Sequence, residues 1–143
     1  MRTLGPNAVL VLMAMSLVAC ERADDGADLV PVAPGVAYSL EDGERSHREA
    51  SETFWIPPLE EREALRLGQL VKLMFNIRRD DGSLVERMWV IVGDRVGNGY
   101  QGTLDNQPYS TDLMKPGMIV QFQPRHVIQI RPDRAAARPT VPE

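Results

Sequence analysis

The chain has 143 residues, 43% of them apolar and 25% charged, with a formal net charge of −4 at pH 7. That suits one globular domain with flanking segments. The acidic balance does not attract phosphate backbones, so nucleic acid is not expected as a partner, and anionic headgroups offer no electrostatic help. Cys20 is the single cysteine, so the chain has no internal disulfide and its fold must rest on its core.

The N-terminus reads first. Arg2 supplies a positive start, and Ala8 to Val18 form an apolar run of 11 residues. A helix of that length falls well short of a ~30 Å hydrocarbon core. A charged stretch follows at once, which is the layout of a secretory signal over residues 1–19, cut between Ala19 and Cys20. Leu17-Val18-Ala19-Cys20 also resembles the lipobox of bacterial lipoproteins. The resemblance implies that the Cys20 thiol takes a diacylglycerol and becomes an acylated N-terminus. It places the protein on a membrane of the bacterial cell envelope, with its domain facing the periplasm or the exterior. Each buried methylene contributes ~0.8 kcal/mol, and stable anchoring takes more than one chain.

Residues 20–42 read as the acylated cysteine and a flexible tether. Ala23-Asp24-Asp25-Gly26-Ala27-Asp28 is small and acidic, and Pro31, Pro34 and Gly35 interrupt any period. About 20 flexible residues reach ~25 Å. Residues 132–143, with Pro and charge but no apolar face, read as a disordered tail. The folded unit is then about residues 43–131.

Within that unit Ser46 and Glu49 have capping-box spacing and predict a helix over residues 46–54. Pro58 predicts the first position of a second helix, Leu59 to Leu67, closed by Gly68. From Leu70 the period becomes two. Val71, Leu73, Phe75 and Ile77 share a face, and Asp80-Asp81-Gly82 predicts a hairpin turn. Met88, Val90 and Val92 share the inner face of the return strand, with Trp89 and Ile91 opposite. Gly93 to Gly99 reads as a loop and Tyr100 to Leu104 as a third strand. Met118, Val120 and Phe122 alternate, and after Pro124 a last strand carries His126, Ile128 and Ile130 in phase. Short N-terminal helices followed by a curved antiparallel sheet of about five strands make an α+β domain.

Few motifs carry chemistry. Gly97-Asn98-Gly99-Tyr100-Gln101-Gly102 matches G-x-G-x-x-G, but strand-like residues follow it and no acid lies near residue 122. It reads as a hairpin, and no cofactor is expected. His47 and His126 lack partners at metal-ligand spacing, and Asp80-Asp81-Gly82 lacks the spaced carboxylates of a calcium loop, so no metal is expected. No nucleophile stands with a base. Glu86-Arg87-Met88-Trp89-Val90 stands out: Arg87 and Trp89 are one strand period apart, which predicts the guanidinium over the indole. Arg and Trp are favoured interface anchors. Glu86, Arg87, Trp89, Asn106 and His126 form the candidate recognition surface.

Phe54-Trp55-Ile56-Pro57, the Gly68 to Phe75 strand, Glu86 to Val90, Tyr100 to Pro108, and Gly117 to Val127 together resemble, in this order, the YegJ-like bacterial domain of unknown function. The resemblance covers about residues 54–130. Where members usually carry Asp after the glycine at position 117, this chain has Met118. It implies a small α+β domain and no activity.

The expectation is therefore a lipid-anchored, non-enzymatic envelope protein whose domain binds another envelope protein. A second reading is a small-ligand or enzymatic cleft lined by Trp55, Arg87, Trp89, Asn106 and His126. There the two Trp rings stack the ligand, Arg87 pairs an anion and His126 titrates. A third is an immunity-like inhibitor of a toxin.

Overall fold

The computed structural model describes residues 29–132. The signal, Ala19, Cys20, the acidic start of the tether and the tail from residue 133 onward lie outside the described residues.

The structure is mostly one antiparallel sheet with few, short helices. Its strands are β1 (Val30–Ala33), β2 (Val36–Leu40), β3 (Leu70–Arg79), β4 (Gly82–Val96), β5 (Gly99–Leu104), β6 (Ile119–Phe122) and β7 (Val127–Ile130). Between β2 and β3 come α1 (Gly43–Glu49) and α2 (Leu59–Glu63), and a 3-10 turn, Pro124–His126, separates β6 from β7. The sheet order is β1-β2-β3-β4-β5-β6, with β7 paired to β3.

The tether expected to run to residue 42 gives way to the β1–β2 hairpin. Pro34 and Gly35 make its turn, where Gly35 takes φ +76°, a region glycine enters without steric cost. Tyr38 faces Ile77 across the β2–β3 ladder and is 2% exposed, its ring 5.3 Å from that of Phe75. The domain therefore begins by Val30, and strands, not helices, come first among the described residues. Seven strands replace the five expected.

The helices are shorter than predicted; α2 starts at Leu59 as expected, but α1 starts earlier. Asp42, not Ser46, caps α1, its carboxylate accepting from the Arg45 N–H at 2.9 Å. The second helix ends at Glu63, and Gly68 sits in a separate turn at φ +82°. The loop between α1 and α2 packs Phe54 and Ile56 on Met74 and Ile128, covering the outer face of β3 and β7.

The two-residue periods hold. Val71, Leu73, Phe75 and Ile77 of β3 meet Met88, Val90 and Val92 of β4, together with Tyr100, Leu104, Val120, Phe122 and Val127, in one buried core. Ladder pairing runs unbroken from Leu70↔Ile91 to Arg79↔Gly82, so Asp80-Asp81 is the predicted turn. The expected loop at 93–99 is shorter. β4 continues through a bulge between Val92 and Arg95, and Val96 pairs with Gly99. Gly97, at φ +57°, turns the hairpin inside the G-x-G-x-x-G segment.

One connection sets the shape. In a flat sheet β6 would lie four strand spacings, roughly 19 Å, from β7. Five residue steps join Phe122 to Val127 and reach at most ~18 Å fully extended. The 3-10 turn between them shortens that to nearer ~10 Å. The sheet must curl, and it forms a half-barrel with the core inside and β6 brought round toward β1 and β2.

Candidate functional site

The residues singled out from sequence divide between the two faces of β4. Glu86 lies on the inner face, where its two carboxylate oxygens accept from the Tyr109 and Ser110 N–H groups, each at 2.8 Å. Arg79 reaches the same loop, donating to the Ser110 carbonyl at 2.6 Å. Burial pushes the Glu86 carboxyl up, but the Ser110 hydroxyl, the two backbone N–H donors and the Arg79 charge together hold it below its ordinary value. Glu86 thus anchors the segment between β5 and β6, whose Met114 is fully buried in the core.

Arg87 and Trp89 lie on the outer face, but they are not partners. The Arg87 guanidinium lies over the Phe54 ring at 5.5 Å. The half-buried indole of Trp89 instead has Lys72 Nζ at 4.4 Å and the Arg131 guanidinium at 5.1 Å. Lys72 is the cross-strand partner of Trp89. Directly opposed side chains stand ~5 Å apart at Cβ, nearer than two residues along one strand. Asn106 Oδ1 accepts from the Trp89 N–H at 2.8 Å and the Trp89 carbonyl accepts from Asp105, so Asn106 extends the ladder beyond Leu104. Trp55 is 68% exposed.

His126 lies elsewhere, in the 3-10 turn and not in a strand. Its Nδ1 accepts from the Gln123 N–H at 3.0 Å, which fixes the neutral tautomer with the proton on Nε2. Burial first, then the neighbouring Arg125 charge, pushes its pKa down to about 4, against an upward pull from Asp42 and Glu44.

His126 belongs to a cleft of about 730 Å³ at the open seam of the half-barrel. Val30, Tyr38 and Leu40 of β1 and β2 form one side, and Tyr100, Gln121 and Phe122 of β5 and β6 form the other. The floor is aromatic and buried: Tyr38, Tyr100 and Phe122 are each 3% exposed or less. The rim is cationic. Arg45 and Arg48 of α1 and Arg125 of the 3-10 turn are exposed there, and Asp42 is the one lining carboxylate among the described residues. Of the five residues expected to line one cleft, only His126 does. Trp55, Arg87, Trp89 and Asn106 do not border it.

Sequence reasoning passed over the three arginines and both tyrosines. Arg45 and Arg48 stand three apart, the spacing that puts two side chains on one helix face, and that signal was readable. Arg125 and the floor are joined only by the curl. Arg62 was also missed. It is 5% exposed, and it donates to the Pro57 carbonyl (2.8 Å), to Glu44 (2.7 Å) and to the Pro124 carbonyl (2.9 Å). It ties α2, α1 and the 3-10 turn together and so sets the rim. Tyr100 fixes the far end, its hydroxyl donating to the Glu63 carbonyl at 2.7 Å.

Among the described residues no group of three His, Cys, Asp or Glu side chains stands close enough to hold a metal ion. No helix among them is long and apolar enough to cross a membrane. Compared with known proteins, the chain matches no family model, no curated protein and no solved structure.

Proposed function

We propose that this is a lipid-anchored bacterial envelope protein that binds another envelope protein, without catalysis, in the seam cleft of a small YegJ-like domain. The observation that carries the reading is the cleft itself, with exposed arginines over a buried aromatic floor. A site of this volume suits a ligand or a short segment of a partner. Arginine and tyrosine are favoured anchors of such contacts. The lipobox-like Leu17-Val18-Ala19-Cys20 supports the anchor and leaves the domain on the periplasmic or exterior side. With Val30 already in the sheet, ten residues, 20–29, separate the proposed anchor from the first strand.

Two experiments test the two halves. Cys20→Ser should abolish palmitate labelling in cells and leave an uncleaved precursor. Unchanged labelling and mature mass would refute the anchor. A photo-cross-linking residue at Gln121, in the cleft, should give a discrete adduct in intact cells, and one at Val85, on the outer face near the β3–β4 turn, should not. Adducts from Val85 with none from Gln121 would move the binding surface off the seam.

A further inference from the structure

The edge of β6 carries a more specific reading of this cleft. The Leu104 N–H donates to the Met118 carbonyl at 2.9 Å, which makes Thr103↔Ile119 a pair without direct hydrogen bonds. Alternation then makes Gly102↔Val120 and Tyr100↔Phe122 the hydrogen-bonded pairs. The N–H and C=O groups of Ile119 and Gln121 therefore point away from β5. No strand pairs with that side of β6 among the described residues. The next outward residue, Gln123, is closed off. Its N–H goes to His126 Nδ1 and its carbonyl accepts from the His126 N–H. The open edge is thus two residues long, and at Gln121 it runs into the cationic cleft.

From this geometry we infer that the seam takes an extended, acidic peptide segment of the partner, which adds as a short strand to β6 and lays its carboxylates on Arg48 and Arg125. The inference rests on the seam cleft being the binding seat. An unpaired edge recognises an extended backbone whatever its sequence, and the flanking charges select among backbones. The exposed guanidinium groups of Arg48 and Arg125 flank that edge and select acid, on a chain whose overall charge is negative. The same charge pattern repels a basic segment. Neutral His126 serves the arrangement by occupying the Gln123 N–H, which ends the added ladder beside Arg125.

The test uses the full lipidated chain in detergent micelles and a fluorescent decapeptide of alternating Thr and Glu, read by anisotropy. The acidic peptide should bind at least about tenfold more tightly than its Thr-Lys counterpart, with affinity falling as salt rises. Methylating every backbone amide of the peptide, or making Gln121→Pro, should each weaken binding at least about tenfold. Proline at Gln121 removes only an outward N–H and leaves the β5 ladder intact. Arg48→Glu with Arg125→Glu should weaken binding about as much and flatten the salt dependence. If Gln121→Pro does not fold, the methylated peptide carries the same test. Amide methylation without effect would overturn strand addition. Tenfold tighter binding after Asp24, Asp25 and Asp28 are changed to Asn would overturn the external occupant in favour of the chain's own acidic segment. Absent peptide binding with the Gln121 cross-link intact would overturn the acidic occupant alone. Loss of that cross-link is what sinks the seam as a seat.

Discussion

Replacing the buried Arg62 with Met should be among the most damaging single changes outside the apolar core of this domain. The methionine keeps most of the aliphatic stem, so packing changes little. What goes is the set of charge-assisted bonds to Pro57, Glu44 and Pro124. Each such bond is worth ~1.5–3 kcal/mol when its partner is left dry. The sum is discounted in two ways. The arginine's own desolvation cost is recovered. The Glu44 side chain, 33% exposed, regains water when its partner leaves. The buried Pro57 carbonyl does not. The net loss is about 3 kcal/mol, within the range for breaking one side of a buried ion pair. With a urea dependence of ~1.2 kcal/mol per molar for a domain this small, the unfolding midpoint should fall by ~2.5 M. Glu44→Gln should cost only about 1 kcal/mol, because Arg62 keeps both carbonyls. Hydrogen exchange should rise first in α1 and around Pro124, the two elements that carry the arginine rim. An Arg62→Met protein within ~0.5 kcal/mol of the parent would show that the carbonyls rehydrate freely and that the rim is held some other way.

Three further outcomes follow from the site. The folded His126 pKa of about 4 lies below the unfolded value, so the unfolded chain binds more protons between the two. Stability should be complete above pH ~6.5 and should fall by up to about 3 kcal/mol as the pH drops to 4. His126→Asn should remove that part of the pH dependence when midpoints at pH 7 and pH 5 are compared. Glu86→Ala should cost about 1–2 kcal/mol and release the Tyr109 and Ser110 amides to fast exchange. Because its pKa is depressed, the Glu86 contribution is present above the unfolded value and lost as pH falls below it, and unchanged amide protection in the variant would deny it the anchoring role. Trp89→Ala should cost about 2 kcal/mol, less than a fully buried Trp, and Lys72→Ala under ~1 kcal/mol. An Arg87→Ala protein as unstable as Trp89→Ala, by chemical denaturation, would contradict the separate placement of the two side chains.

The core was legible because it depends on a local property. Val71 to Ile77 and Met88 to Val92 alternate, one face was bound to be buried, and the Asp-Gly turn fixed the register between them. The β1–β2 hairpin obeyed the same rule, with Val36, Tyr38 and Leu40 in alternation, yet Pro31, Pro34 and Gly35 were read as breakers. Proline is tolerated on an edge strand, and β1 is one. The start of α1 failed because the Ser46–Glu49 spacing was taken as the cap, whereas the Asp42 carboxylate takes the Arg45 N–H one turn earlier. The Arg87–Trp89 pairing failed for a different reason. It compared residues along one strand, and the nearer neighbour of Trp89 was Lys72, across the ladder.

The seam was hidden because it is made by closure. Tyr38, Arg48, Tyr100 and Arg125 come from four elements, and nothing in any one of them marks a site. Their meeting follows from one short connection. A chain that must pass from β6 to β7 in five residue steps cannot leave the sheet flat, and a sheet that curls without completing a ring leaves two edges facing each other. β1 can end that way safely, being short and carrying Pro31. β6 is protected at one end only, where His126 takes the Gln123 N–H, and its remaining outward groups open onto arginines. An exposed strand edge is normally a liability that charge or proline blunts. Here the charge next to the edge is of one sign. It does not repel every backbone but admits acidic ones, while two copies of the same cationic edge repel each other, so the feature that protects β6 from pairing with itself is also the feature that would choose its partner.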